Sequence, residues 1–139
     1  MEPQTYSVPG PESVGIRRPA AVLVVDDDED IREMIRGVLE QEGYLAILAS
    51  DGEEALSFLR QRSIRFGLVV VDLLMPKMDG WEFQWQRLRE PEIRAIPMVV
   101  MTAHSGTLVD SMIEHTTIPV IAKPIDFDRL LRVVARYCS

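Results

Sequence analysis

The chain has a single cysteine, Cys138. No internal disulfide can form, and the sequence fits a reducing compartment. Cys138 itself reads as an inert residue near a fraying terminus. Long apolar runs are missing too: the longest unbroken one is Ala20 to Val25, far short of the roughly 20 residues a membrane span needs. The opening MEPQTYSVPGPESVG has prolines and glycines where a secretory signal would have its apolar centre. Both absences make the cytoplasm the expected location. Positive charge is scarce, with 15 Lys and Arg against 22 Asp and Glu and a net charge of −7. Glu2 and Glu12 cancel Arg17 and Arg18, so the whole excess sits on residues 20–139. Such a domain repels phosphate backbones and anionic lipid, which argues against nucleic acid or a membrane surface as direct partner.

What remains is ample for one folded domain: 139 residues, 47% of them hydrophobic, enough to bury a core without metal or disulfide staples. Prolines 3, 9, 11 and 19 with Gly10 and Gly15 set residues 1–19 apart as an expected flexible tail, leaving 20–139 as the domain.

Within that domain, apolar strands alternate with helical stripes. AAVLVV (20–25) and GLVVVD (67–72) are apolar on both faces, as strands covered on both sides must be. YLAILA (44–49), IPMVVMTA (96–103) and IPVIA (118–122) complete five predicted strands. Between them, Asp28 is the expected N-cap of a first helix that stops at Gly43. Ser50–Glu53 has the spacing of a capping box for a second. A third helix runs to about Arg89, a fourth covers 105–115, and Asp126 caps a fifth. On the third, Trp81, Trp85 and Leu88 share a stripe that reads as core in preference to partner surface, with room for one of the tryptophans to be partly open as a docking patch. Strict alternation implies an α/β fold: a doubly wound, flavodoxin-like parallel sheet flanked by five helices, with strand order 2-1-3-4-5.

Ligands of such sheets bind beyond the carboxyl ends of the strands. Those ends carry Asp26 and Asp27, then Asp72, then Thr102, with Lys123 following the fifth strand. Acids at a helix start often do no more than complement its dipole, and Asp28, Glu29 and Asp30 are read that way. A strand-end threonine usually bonds locally and a lone lysine is usually solvated. The joint occurrence at four strand ends is what points to chemistry. Three converging carboxylates need a cation, and an all-oxygen donor set suits Mg²⁺, with Mn²⁺ as alternative. A metal, a hydroxyl and an ammonium around one carboxylate nucleophile would suit phosphoryl transfer.

The segments VLVVDDDEDI, LVVVDLLMPKMDG, MVVMTA and IAKPID, in this order, resemble the response-regulator receiver domain of two-component signalling, over residues 20 to about 138. The resemblance implies that Asp72 is the phosphoacceptor, so the chain is a signalling switch and not an enzyme acting on outside substrates. Mg²⁺ would be held by Asp72, by Asp27 directly, by Asp26 through water, and by the main-chain carbonyl of Leu74. Thr102 would be the switch hydroxyl and Lys123 the partner of Asp72 and of its phosphate. Lys123–Pro124 is a cis candidate, and Met75–Pro76 shapes the loop. A histidine kinase or phosphotransfer protein would supply the phosphoryl group. A downstream protein would read the face made by the fourth helix, fifth strand and fifth helix, with homodimerisation through that face left open. A stand-alone regulator is the expected organisation.

Three features depart from the family pattern. Val120 replaces an aromatic that often moves with the threonine. IEHTTIPVIAKP lacks the usual Gly-Ala turn. Leu74 and His104 occupy positions that flank the path of attacking water, and an apolar Leu74 implies slow self-dephosphorylation, with His104 as modulator. Two other functions compete: a receiver-like adaptor that signals without phosphate, and a Mg²⁺-dependent phosphohydrolase with an aspartate nucleophile. The latter's Asp-x-Asp signature is matched by Asp26 and Asp28, but Asp30 stands where Thr or Val would follow.

Overall fold

The structure, a computed structural model, describes residues 20–75, 78–103 and 118–138. Its elements in chain order are β1 (Ala21–Val25), α1 (Glu29–Gln41), β2 (Ala46–Ala49), α2 (Gly52–Leu59), β3 (Phe66–Asp72), α3 (Gly80–Leu88), β4 (Met98–Thr102), β5 (Val120–Ala122) and α4 (Phe127–Cys138). The five strands are parallel and ordered β2-β1-β3-β4-β5, the expected order. Four helices lie among the described residues, and the one expected over 105–115 lies outside them.

Because side chains alternate along a strand, β1 to β4 each feed two cores, while the short β5 adds Ile121 to one of them. Leu23, Val25, Val69, Val71 and Val100 pack with Leu56, Leu59 and Phe83 on the α2–α3 side. Val22, Val24, Val70, Val99 and Met101 pack with Ile35, Leu39, Leu130 and Val134 on the α1–α4 side. This two-sided burial explains why β1 and β3 read as unbroken apolar runs.

Helix ends follow local chemistry. Asp28 caps α1, its Oδ1 accepting from the amides of Asp30 and Ile31. At the other end Gly43 takes φ +87. The Gly43 and Tyr44 amides return to the carbonyls of Glu40 and Leu39, the Schellman arrangement. Tyr44 is thereby spent on closing the helix, which is why β2 starts at Ala46 and not at Tyr44. The capping box of α2 is shifted by one residue from Ser50–Glu53. Asp51 is the cap, accepting from Glu54 N–H at 2.8 Å, and the Glu54 carboxylate accepts from Ser50 N–H at 2.8 Å. An aspartate carboxylate outcompetes the preceding serine for the role.

Two further expectations are corrected. Of the α3 stripe Trp81, Trp85 and Leu88, only Trp81 packs against the core, and it is half-buried there: Gly80, Phe83 and Arg87 face inward, whereas Trp85 is 64% and Leu88 46% exposed. The helix phase is fixed by Gly80, whose added Cβ would stand 2.9 Å from Leu73 Cα and 3.0 Å from the Asp72 carbonyl oxygen. That close approach turns Phe83, not Trp85, into the sheet. Cys138 is not at a fraying end but buried. It packs in the α1–α4 core beside Gly67, where any Cβ would meet its Sγ at 2.9 Å, and burial pushes its thiol pKa up to about 11.

Candidate functional site

The strands deliver their carboxyl ends to one place. Register pairs Val25 with Val71, Asp72 with Met101, and Thr102 with Ala122. The Leu73 amide donates to the Met101 carbonyl and the Lys123 amide to the Thr102 carbonyl, both at 2.9 Å. The ladder thus continues just past each strand and holds the chemistry-bearing residues side by side.

Asp26 is fully buried and satisfied on every side. Its amide donates to the Ala49 carbonyl at 3.2 Å. Its Oδ1 accepts from Asp28 N–H at 2.9 Å, and its Oδ2 from Lys123 Nζ at 2.7 Å. Its main-chain carbonyl accepts from Arg32 Nη1 at 2.7 Å. Asp72, also buried, accepts from Leu74 N–H on Oδ1 at 3.2 Å and from Lys123 Nζ on Oδ2 at 3.1 Å. Asp27 is exposed, and its carboxylate has no hydrogen bond or ion pair to any described residue. Oxygen atoms of Asp26, Asp27 and Asp72 all lie within 4.8 Å of one another.

The electrostatics follow from this crowding. Burial pushes the Asp72 pKa up; the Lys123 hydrogen bond opposes that shift, while the charge of Asp26 adds to it. For Lys123, burial works against the ammonium, but the hydrogen bonds and charges of Asp26 and Asp72 together outweigh it and raise its pKa. One ammonium faces three carboxylates, so the cluster carries an uncompensated negative charge. Its donors are all oxygen, and one of them, Asp27, has no other partner among the described residues. That set fits a hard divalent cation such as Mg²⁺.

The structure therefore brings together Asp26, Asp27, Asp72 and Lys123 among the sequence-predicted residues, with Thr102 buried at the neighbouring strand end. Leu74 is 44% exposed beside the cluster. The Lys123–Pro124 bond is cis. Asp28 caps α1, and Glu29 and Asp30 are exposed in its first turn. Pro76 and His104 lie outside the described residues. Three contributors were not foreseen: the main-chain amides of Asp28 and Leu74, which aim the two buried carboxylates, and Arg32. An arginine so near the start of a helix, where the dipole disfavours a cation, was the available signal for the latter. A cavity of about 330 Å³ bounded by Leu59, Arg62, Ile64, Phe66 and Ile93 lies at the opposite, amino-terminal end of β3 and takes no part in this constellation.

The pattern of the response regulator receiver domain family matches residues 22–135. An uncharacterized 14.6 kDa protein from the region 3′ of sodA1 in Leptolyngbya boryana is 34% identical over 123 residues, covering 84% of this chain and 88% of the relative. The CAI-1 autoinducer sensor kinase/phosphatase CqsS of Vibrio cholerae is 33% identical over 87% of this chain, a stretch that makes up 18% of that larger protein. Among solved structures, a response regulator receiver protein from Pseudomonas putida superposes with a TM-score of 0.78 at 27% identity, covering 87% of this chain and 99% of its own. The chemotaxis protein CheY4 of Vibrio cholerae gives 0.74 at 28% identity, covering 86% and 98%. The chain belongs to the response-regulator receiver domains of two-component signalling.

Proposed function

We propose that this receiver domain is a phosphorylation-dependent switch whose phosphoacceptor is Asp72, loaded by a histidine kinase or phosphotransfer protein. The observation that carries the reading is the meeting of Asp26, Asp27 and Asp72 within 4.8 Å, with Lys123 bridging the two buried acids. An Asp72 oxygen attacks the phosphorus of a phosphohistidine, the P–N bond breaks, and the imidazole leaves with the electron pair and takes up a proton. Bound Mg²⁺, held by Asp26, Asp27, Asp72 and the Leu74 carbonyl, would neutralise the phosphoryl oxygens and the repulsion among the acids. Lys123 holds Asp72 in place before transfer and pairs with the phosphoryl group afterwards. Thr102, at the adjacent strand end, supplies a hydroxyl to the same group.

The added charge, roughly −1.5 to −2 units, favours the arrangement in which Thr102 and Lys123 both reach it, shifting an existing equilibrium. A downstream protein then reads the face that includes β5 and α4. The exposed acids around the site and the net charge of −7 favour a protein partner over nucleic acid. No helix among the described residues is long and apolar enough to cross a membrane, and cytoplasmic signalling is part of the proposal.

Intact-mass measurement with a small acyl phosphate and Mg²⁺ tests the reading. Wild type gains the mass of one phosphoryl group, and Asp72→Asn gains none. Wild type without label, or labelled Asp72→Asn, overturns it.

A further inference from the structure

We infer that Arg32 is a positioning residue for the divalent-cation site, acting through the main-chain carbonyl of Asp26; the inference rests on the metal reading proposed above. Arg32 sits one turn into α1, yet its Nη1 reaches back six residues to donate to Asp26 O at 2.7 Å. Asp26 is fully buried, and among the described residues Arg32 is the partner its carbonyl has. Without that donor the carbonyl would be a buried acceptor without a partner, and the turn between β1 and α1 would rearrange to reach water.

The consequence falls on Asp27. The Asp26 carbonyl belongs to the peptide plane that joins Asp26 to Asp27, so a bond to that oxygen fixes the plane from which the Asp27 side chain departs. Asp26 has other restraints: the Asp28 amide, Lys123 and the bond to Ala49. Asp27 has no side-chain partner at all among the described residues. Its carboxylate is aimed at Asp26 and Asp72 through its backbone, which is held by Arg32 on the Asp26 carbonyl and by the Asp26 carboxylate on the Asp28 amide. Groups that orient ligands in this way, removed one at a time, typically weaken metal binding about 10–100-fold.

Arg32 could instead matter only as a cation near the site, in which case it repels Mg²⁺ and its loss tightens binding. The two roles predict opposite signs. The test is calorimetric titration of Mg²⁺ into wild type, Arg32→Met and Arg32→Lys, each with a thermal melt. Arg32→Met keeps the apolar bulk and loses both the donor and the charge. It should raise the Mg²⁺ dissociation constant about tenfold, while Arg32→Lys, which retains a donor, recovers part of the loss. Binding by Arg32→Met as tight as wild type or tighter, with wild type binding normally, overturns the inference alone. A melting temperature that falls while the dissociation constant stays put assigns Arg32 a purely structural part and overturns it equally. Wild type that fails to bind Mg²⁺ overturns the metal reading and this inference with it. Should Arg32→Met fail to fold, the dissociation constant of Arg32→Lys decides: a weaker constant than wild type supports positioning, and an unchanged or tighter one overturns it.

Discussion

Lys123 Nζ stands 2.7 Å from Asp26 Oδ2 and 3.1 Å from Asp72 Oδ2, so a single ammonium from the end of β5 ties together acids from the ends of β1 and β3. The arrangement holds two buried carboxylates close enough to repel, with one charge between them. It also makes ionisation of Asp72 less favoured than that of an ordinary aspartate. Of the two lysine bonds that of Asp72 is the longer, and burial together with the Asp26 charge raises its pKa against the pull of Lys123.

That relationship has a pH signature. A carboxyl whose pKa rises on folding favours the protonated form in the native state. The stability linked to Asp72 is therefore fully present below the unfolded carboxylate pKa and is lost as pH rises through its higher folded value. In metal-free buffer, Asp72→Asn should be more stable than wild type at neutral pH, by an amount within the ordinary single-substitution range of about 0.5–3 kcal/mol. The advantage should shrink as the pH falls into the acid range. Urea melts across that range check it; an advantage that stays constant or grows in acid contradicts the assignment.

Helix α3 offers a contrast within one turn. Phe83 is fully buried and Trp85 is 64% exposed. Phe83→Ala should cost about 3–5 kcal/mol, the usual range for emptying an aromatic from a core. Trp85→Ala should change stability by no more than about 0.5 kcal/mol, as exposed positions do. Denaturant midpoints of the two variants decide between this phase of the helix and one in which both tryptophans are core.

That contrast also marks how far the sequence could be read. The strands were legible because residues such as Val22–Val25 and Leu68–Val71 are apolar at every position, a pattern only two-sided burial requires. The candidate site was legible for the same reason: each strand announces its end, where Asp72 closes β3 and Asp26, Asp27 and Lys123 follow β1 and β5. Helix phase was less legible, because a stripe of Trp81, Trp85 and Leu88 satisfies helical spacing as well as Gly80, Phe83 and Arg87 do. The choice was made by a backbone approach of Gly80 to Leu73 that no periodicity encodes. Arg87 was invisible for a related reason: a basic residue in the last turn of a helix ordinarily complements the dipole in solvent, and nothing in its neighbours signals burial.

Arg87 in fact organises the α3–β4 connection. Its Nη1 donates to the carbonyls of Arg94 and Ile96 at 2.9 and 2.6 Å, and more distantly to that of Ile93 at 3.4 Å. Its Nε and Nη2 hold Gln84 Oε1. Burial lowers its pKa, and the carbonyls offset the cost. Arg87→Met should destabilise by roughly 2–4 kcal/mol, since it strands several carbonyls at once. Because this connection lies at the far end of the sheet, Mg²⁺ affinity should be unchanged in the folded variant. Denaturation and Mg²⁺ titration of the same preparation check both halves.

Leu74 sets the last expectation, the lifetime of the phosphorylated state. Its amide donates to Asp72 Oδ1 at 3.2 Å, which fixes it beside the proposed phosphoacceptor, and its side chain is 44% exposed, at the surface where water arrives. In the receiver family the residue at this position flanks the path of the attacking water, and a leucine has no group with which to orient it. Self-dephosphorylation should therefore be slow, and Leu74→Asn should speed it. An amide can align a water but cannot take its proton, so the gain should stay below the roughly hundredfold that a true general base supplies. The exposure of Leu74 keeps the substitution from disturbing the core, and a melt should confirm that. Phosphate loss is timed on the pre-labelled, donor-free protein in Mg²⁺. A lifetime that is unchanged or longer in Leu74→Asn would mean that water reaches Asp72 by a route this side chain does not control.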